Sequence, residues 1–94
     1  MIVAIVTFNV KPEKYTSFLE IMESVKQDLP HVEGCDAVQL FEAKDKSGTF
    51  TLVESWESEL IHQQHLAGVV ESGNWAIIES HLQEPVQSAY FDRL

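Results

Sequence analysis

Two histidines stand three residues apart in the stretch SWESELIHQQHL, which spans residues 55–66. On a helix, His62 and His65 would lie on neighbouring ridges of one face. Three roles fit this spacing: a pair of metal ligands, the wall of a substrate cavity, or ordinary solvated or packing histidines. A metal site needs a third ligand, and Glu54 or His81 could supply it only through folding that the sequence does not specify. The helix also lacks the glutamate base that follows the first histidine in zinc proteases. The sequence therefore predicts no metal site.

Glu54 is the third residue that could take part in chemistry. It alternates with Leu52 and Trp56 in a segment with strand character, so the three side chains point to one side. Burial between a leucine and a tryptophan would raise the pKa of the carboxyl by desolvation. Such a carboxylate could act as a general base toward a hydroxyl group of a substrate. The alternative is that Glu54 pairs with a cross-strand or helix residue and only shapes the sheet.

Aromatic and amide side chains supply candidates for substrate binding. Trp56 and Trp75 could form walls against a flat substrate, although tryptophan in a small domain more often belongs to the core. Asn9 ends an apolar run and could orient a substrate oxygen or cap the end of its strand. Cys35 has no histidine next to it in the sequence that would lower the pKa of its thiol, so we expect a structural thiol.

Composition limits the possible partners. The 94 residues are enough for one domain, residues 1–94, and 15 acidic against six basic residues leave a net charge of −9. That charge would repel nucleic acid and anionic membranes. The run MIVAIVTF is too short for a signal sequence with its flanks or for a bilayer crossing. A single cysteine suits a reducing compartment, so we expect a cytoplasmic protein.

Hydrophobic periodicity predicts the elements that must position these residues. Strands are expected at 2–10, at about 35–42, in TFTLVESW ending at Trp56, and in VQSAYFDR near the end of the chain. The first helix follows Pro12, carries one apolar stripe and ends at Pro30. The second helix has Ser58 as N-cap and runs to about Gly68. A short third helix is capped by Asn74, carries Trp75, Ile78 and Leu82, and stops at Pro85.

This order of elements predicts an α+β fold, a ferredoxin-like β-α-β-β-α-β antiparallel sheet with its helices on one face. A sheet open to water on its other face should alternate between apolar and polar residues. The first strand instead has Val3 and Ile5 opposite its Ile2, Ala4, Val6 and Phe8 face. Something apolar must cover the second face, and a second copy of the chain is the simplest candidate. We therefore predict a homodimer through the sheet face.

Several local patterns resemble the antibiotic biosynthesis monooxygenase (ABM) family. They are FNVKPEKYTSFLEI in the first helix, EGC before the second strand, and TFTLVESWES followed by the histidine–leucine pair nine residues after Trp56. The resemblance spans nearly the whole chain and implies a dimeric α+β barrel, in which two four-stranded sheets face each other with helices outside. It also implies a small oxygenase that acts on electron-rich aromatics or quinols with molecular oxygen and without metal, flavin or haem.

The resemblance places individual residues as well. The tryptophan that lines the pocket in some family oxygenases matches Trp56, and a tyrosine six positions later falls at His62. An amide side chain four positions before the tryptophan falls at Leu52, which cannot hydrogen-bond a substrate. A haem-degrading branch carries its axial histidine on the last helix. The stretch WAIIESHL has no histidine in the matching turn, and His81 lies just beyond it.

These observations lead to a main functional hypothesis and to alternatives. The hypothesis is a cofactor-independent monooxygenase for a small electron-rich aromatic or quinol. His62, His65 or Glu54 would be the base, and Trp56, Leu52, Asn9 and Trp75 would contact the substrate. The first alternative is a dimeric module that binds a small ligand, or is associated with stress, without catalysis. Haem binding or degradation is a further alternative.

Overall fold

The computed structural model describes residues 1–94, and four antiparallel strands form the frame on which everything else is placed. The strand order in the sheet is β2-β3-β1-β4, so the first and third strands are central and the second and fourth are edges. Along the chain the elements are β1 (Ile2–Asn9), α1 (Tyr15–Asp28), β2 (Cys35–Glu42), β3 (Thr49–Trp56), α2 (Glu59–Glu71), α3 (Asn74–Glu79) and β4 (Gln87–Asp92). Single 3-10 turns, Pro12–Lys14 and Leu29–His31, flank α1. The predicted α+β ferredoxin-like fold is confirmed.

The two faces of the sheet differ in burial. On the inner face, alternate residues of β1 and β3 are buried: Ala4, Val6, Phe8, Phe50, Leu52, Glu54 and Trp56. The apolar stripe of α1 packs Phe18 and Met22 onto this face, where both are fully buried. None of the helices has the length and apolar character that a bilayer crossing requires. The core therefore lies between the inner face and the helices.

The ends of several elements differ from the sequence-based prediction. β1 ends at Asn9, because Val10 leaves the ladder and makes an isolated bridge to Leu82 instead. α2 continues past Gly68 to Glu71, since glycine inside a helix costs only about 1 kcal/mol. Gly73, with a φ of 87°, precedes α3, and Asn74 is its first residue rather than its cap.

The register across the sheet determines which side chains become neighbours. Ala4 pairs with Glu54 of β3 on one side and with Tyr90 of β4 on the other. Glu54 also pairs with Val38 on β2. One row of the inner face therefore carries a carboxyl and a phenol on either side of an alanine.

Candidate functional site

A cavity of about 530 Å³ lies between the inner face of the sheet and the helices. Small-molecule pockets usually measure roughly 300–1,000 Å³ and are mostly apolar. This one fits that description, since 14 of its 21 lining residues are hydrophobic. The lining residues that are exposed mark where the cavity meets solvent: Ser24 and Asp28 on α1, Asn74 and Ile77 on α3, and Ser88 on β4.

The floor of the cavity changes in polarity along the strands. Glu54 lies at one end, and Phe8 lies at the other end beside Val86. The intervening row contains Leu52 and Val6. Since Glu54 pairs with Ala4, four residues from Phe8, the floor runs for about 13 Å at roughly 3.3 Å per strand residue. The cavity therefore has one polar and one apolar end.

α2 forms the wall above the polar end. His62, His65, Leu66 and Val69 line the cavity, and their spacing of three, four and seven residues is one helical stripe. Ser58 starts this helix, because its hydroxyl accepts a hydrogen bond from the Ile61 amide at 3.2 Å. The predicted helix around the two histidines therefore turns both of them toward the cavity.

Glu54, on β3 at the polar end of the floor, is buried, and one of its two carboxylate oxygens is hydrogen-bonded. Its Oε1 accepts a hydrogen bond from Nε1 of Trp56 at 2.8 Å and lies 3.7 Å from Nε2 of His62. Oε2 accepts no hydrogen bond from the protein. Every fully buried side-chain oxygen in the structure has a hydrogen-bond partner, so Oε2 is not fully buried and retains accessible surface. Burial raises the pKa of the Glu54 carboxyl, and the Trp56 hydrogen bond opposes that rise. A base stronger than an exposed glutamate results.

His62 lies between Glu54 and Tyr90, above Ala4. Its Nδ1 is 2.6 Å from the Tyr90 hydroxyl, and the two rings meet edge to face at 5.4 Å. Burial, followed by the nearby His65, lowers the pKa of His62, so the ring is neutral at pH 7. One tautomer suits both neighbours: Nδ1 accepts from the Tyr90 hydroxyl, and the proton on Nε2 points to Glu54. The small Ala4 side chain leaves the space that this arrangement needs.

His65 is the second histidine of the wall and makes no hydrogen bond with the protein. Its ring packs on Trp56 with centroids 5.3 Å apart, and the ring of His62 packs on the same indole at 5.2 Å. Burial lowers the pKa of His65, so it too is neutral at pH 7. It offers a free ring nitrogen to anything that occupies the cavity.

The predicted substrate-binding residues fall in different places. Leu52 and Trp75 line the cavity. Trp56 is fully buried behind the histidines, where it orients Glu54 by its hydrogen bond. Asn9 is at the far end of β1 and accepts a hydrogen bond from the Thr49 hydroxyl at 2.8 Å, outside the cavity lining. Three of the four therefore gather around the cavity or its polar end, and Asn9 does not.

The residues considered for metal or haem binding are differently placed. No group of three His, Cys, Asp or Glu side chains is arranged to hold a metal ion. Both ring nitrogens of His81 have partners inside the protein, Nε2 at 2.8 Å from the Ser17 hydroxyl and Nδ1 at 2.7 Å from the Ile77 carbonyl. Its ring also packs on Phe18. Burial raises the pKa of the Cys35 thiol to about 11, so this thiol is not ionised at neutral pH.

Tyr90 is the residue of the candidate site that the sequence-based reasoning missed. Tyr90 lies in the predicted last strand, but nothing local to that strand pointed to His62, 28 residues earlier. The useful signal would have been the strand order. With β1 between β3 and β4, the position opposite Ala4 is shared by Glu54 and Tyr90.

Comparison with protein families gives one match. The model described as "Antibiotic biosynthesis monooxygenase" matches residues 1–69, which include β1, α1, β2, β3 and most of α2. Glu54, Trp56 and both cavity histidines are within the matched range. No curated protein sequence matches the chain.

Solved structures extend the fold comparison to the whole chain. An antibiotic biosynthesis monooxygenase is 20% identical with a TM-score of 0.88, over 100% of this chain and 99% of its own. A conserved protein from Methanosarcina mazei is 19% identical with a TM-score of 0.85, covering 99% and 92% of the two chains. A protein from Mycobacterium tuberculosis is also 19% identical with a TM-score of 0.85, covering 99% and 94%. At these identities the likeness concerns the fold.

Proposed function

The chain belongs to the antibiotic biosynthesis monooxygenase family, and from that premise we propose that it is a cofactor-independent monooxygenase for a small electron-rich phenol or quinol. The observation that carries the proposal is the buried Glu54 carboxylate with a free oxygen at the polar end of a largely apolar cavity. The apolar floor formed by Leu52 and Val6 would accommodate an aromatic ring with its hydroxyl at Glu54. Two neutral histidines stand beside that position.

The first step is removal of the hydroxyl proton. Glu54 accepts it, because burial has raised the pKa of this carboxyl toward that of a useful base. The negative charge moves from the carboxylate to the ring oxygen and spreads onto the ring carbons. His62 holds its Nε2 proton toward the same carboxylate and keeps it oriented. The cavity wall excludes bulk water, which would otherwise stabilise the phenolate and lower its reactivity toward oxygen.

The second step is attack of oxygen on the electron-rich ring carbon. The electron pair of that carbon forms the new C–O bond, and the substrate itself supplies all the electrons. The distal peroxide oxygen takes back the proton that Glu54 accepted. When the O–O bond breaks, this oxygen leaves as hydroxide and takes the proton that the ring carbon loses, while that carbon becomes a carbonyl. In total the substrate loses one hydrogen from the hydroxyl and one from the ring carbon, one oxygen atom is incorporated, and the other leaves as water. His65, with a free ring nitrogen, can hydrogen-bond the distal peroxide oxygen.

The functional unit in this proposal is a homodimer. The outer face of the sheet carries apolar side chains on all four strands, among them Ile5, Val53, Phe41 and Phe91. Phe41 and Phe91 are 52% and 50% exposed in the single chain. An apolar sheet face is usually covered in a folded protein, and a second copy offers a matching surface. Cytoplasmic location stays a prediction from the single cysteine.

Oxygen consumption tests the proposal. With metal-free protein and a panel of quinols and naphthols, we expect oxygen uptake above the autoxidation rate. Glu54→Gln keeps the shape and an acceptor for Trp56 but loses the base, so turnover should fall by roughly 10²–10⁴-fold. His62→Ala and His65→Ala should also lower turnover, whereas His31→Ala, at an exposed position, serves as the matched control. If the wild type binds these compounds without any uptake above background, the protein is a binding module and the oxygenase proposal is wrong.

A further inference from the structure

The walls of the cavity carry carboxyl groups but no cationic side chain. Glu54 is at the polar end and Asp28 is at the mouth, and no lysine or arginine is among the 21 lining residues. The cation nearest in sequence to the mouth is Lys26, whose Nζ lies 4.0 Å from Glu23 instead. Arg93 donates a hydrogen bond to the Ser55 hydroxyl, whose strand position faces the outer side of the sheet.

The two cavity histidines do not supply a positive charge in place of these residues. Burial lowers the pKa of both His62 and His65, so both rings are neutral at pH 7. Protonation of one histidine also disfavours protonation of the other, since each would place a positive charge beside its neighbour. The chain as a whole carries a net charge of −9. An anion that enters the cavity therefore meets no compensating charge.

We propose that the cavity selects uncharged phenols and naphthols and rejects aromatic acids of the same size. This inference deepens the proposed function and rests on it for the identity of the ring hydroxyl. It is carried by the charges that line the cavity, Glu54 and Asp28 without a basic partner. Removing a carboxylate from water without pairing it costs several kcal/mol.

The total charge of the site during the reaction also favours uncharged phenols over aromatic acids. When a neutral phenol transfers its proton to Glu54, one negative charge moves across a hydrogen bond and the site keeps a total charge of −1. An aromatic acid would bring a second negative charge into the same low-dielectric space. The repulsion would oppose both binding and deprotonation.

A second substituent on the bound molecule would meet the apolar end of the floor, where a carboxylate is least stable. With the hydroxyl at Glu54, the remote ring of a naphthol lies toward Phe8, Val86 and Ile78. None of these side chains can donate a hydrogen bond. A carboxylate on the remote ring would be desolvated there, or the molecule would have to reverse and bring its charge beside Glu54.

Binding of two matched probes tests the inference without any turnover. The probes are naphthol and a hydroxynaphthoate that carries its carboxylate on the ring remote from the hydroxyl. Under anaerobic conditions, titration followed by calorimetry should give naphthol at least about tenfold tighter binding than hydroxynaphthoate, which corresponds to about 1.4 kcal/mol. Equal or tighter binding of hydroxynaphthoate would overturn the inference, and so would a failure of naphthol to bind.

Substitutions at the cavity mouth distinguish an effect of local charge on binding from an effect of the net charge of the chain. Asp28→Asn should strengthen hydroxynaphthoate binding severalfold and by more than it changes naphthol binding, and Ser24→Lys should strengthen hydroxynaphthoate binding further. Asp45→Asn, in the exposed loop between β2 and β3, makes the same change in net charge away from the cavity and should alter neither affinity. An equal effect of Asp28→Asn and Asp45→Asn would overturn the local origin of the selection.

The outcomes for the two proposals can be told apart. Selective naphthol binding without oxygen uptake would contradict the oxygenase function and leave the charge selection standing. Oxygen uptake with naphthol and hydroxynaphthoate at similar rates and affinities would support the oxygenase function and overturn the charge selection.

Discussion

Glu54, His62 and Tyr90 form a row of neighbouring polar side chains at one end of a largely apolar cavity. Buried polar groups are stabilised by hydrogen bonds, and here Trp56 donates one to Glu54 and the Tyr90 hydroxyl forms one with His62. The same hydrogen bonds determine which protons are available to a ligand. Function at this scale depends on the orientation of single ring nitrogens and carboxylate oxygens.

Tyr90 positions His62, so its hydroxyl should be needed although it does not line the cavity. We expect Tyr90→Phe to destabilise the fold by about 1 kcal/mol, the usual net worth of one hydrogen bond. The Nε2–H tautomer of His62 should lose its preference, which nitrogen chemical shifts of the labelled ring would reveal. Turnover should fall while naphthol affinity stays constant. An unchanged tautomer ratio in Tyr90→Phe would contradict this role.

The buried histidines should make the protein sensitive to acid. The pKa of His62 is lowered from 6.5, so in the window just below pH 6.5 the unfolded chain binds a proton that the folded chain does not. Stability is therefore present above this window and is lost as the pH falls through it. The raised pKa of Glu54 acts in the opposite sense, since folding then favours its protonated form.

Urea unfolding at several pH values measures the net effect of these opposing pKa shifts on stability. Between about pH 7.5 and about pH 5.5 the wild-type midpoint should fall, and in His62→Gln it should fall less, because one of the two buried histidines is gone. His65→Gln should have a similar effect, since the pKa of His65 is also lowered. If the urea midpoint of both variants fell with pH as steeply as that of the wild type, the acid sensitivity would come from other groups.

At the scale of elements, the position of α2 decides whether the histidines reach the sheet. Gly34, before β2, has a φ of 91°, and a Cβ atom there would collide with Cγ2 of Ile61 on α2. The Gly34 carbonyl accepts a hydrogen bond from the Glu57 amide at 2.9 Å. The close approach of this loop holds the start of α2 against the end of β3.

Replacing Gly34 should therefore disturb the site as well as the fold. Gly73 also has a positive φ, at 87°, but a Cβ atom there would meet open space. Gly73→Ala should therefore lower the free energy of unfolding by about 1–2 kcal/mol through backbone strain alone. Gly34→Ala should cost a further 1–3 kcal/mol or so from the collision. Thermal unfolding gives the comparison, and naphthol binding should weaken only in Gly34→Ala. Equal effects of the two substitutions would show that the contact with Ile61 does not position α2.

The elements were predictable from the sequence to a greater extent than the site was. The continuous apolar run of β1 and the apolar stripe of α1 are local patterns, so they identified this strand and this helix, and the alternation of Leu52, Glu54 and Trp56 placed these three residues on one side of β3. The helical spacing of His62 and His65 indicated that they share a face. The meeting of His62 with Tyr90 is a consequence of strand order and of the space above Ala4. The cavity itself depends on how far α2 is held from the sheet, which no single segment encodes.

At the scale of the whole molecule, the outer sheet face is the feature that a single chain leaves unexplained. If a second copy covers it, a charge in its centre should separate the subunits, because an unpaired buried charge costs several kcal/mol. We expect Val53→Glu to give a monomer in sedimentation velocity, whereas Ala67→Glu, on the exposed side of α2, should leave the dimer intact. A wild-type protein that sediments as a monomer at micromolar concentration would contradict the dimer.

The most direct test of the central claim is a crystal structure of the protein with naphthol bound under anaerobic conditions. The account predicts naphthol in the cavity between sheet and helices, its hydroxyl within hydrogen-bond distance of Glu54 and its remote ring against Phe8 and Val86. Naphthol bound elsewhere, or in the reverse orientation with its hydroxyl at the Phe8 end, would contradict the assignment of Glu54 and the two histidines as the reactive end of the site.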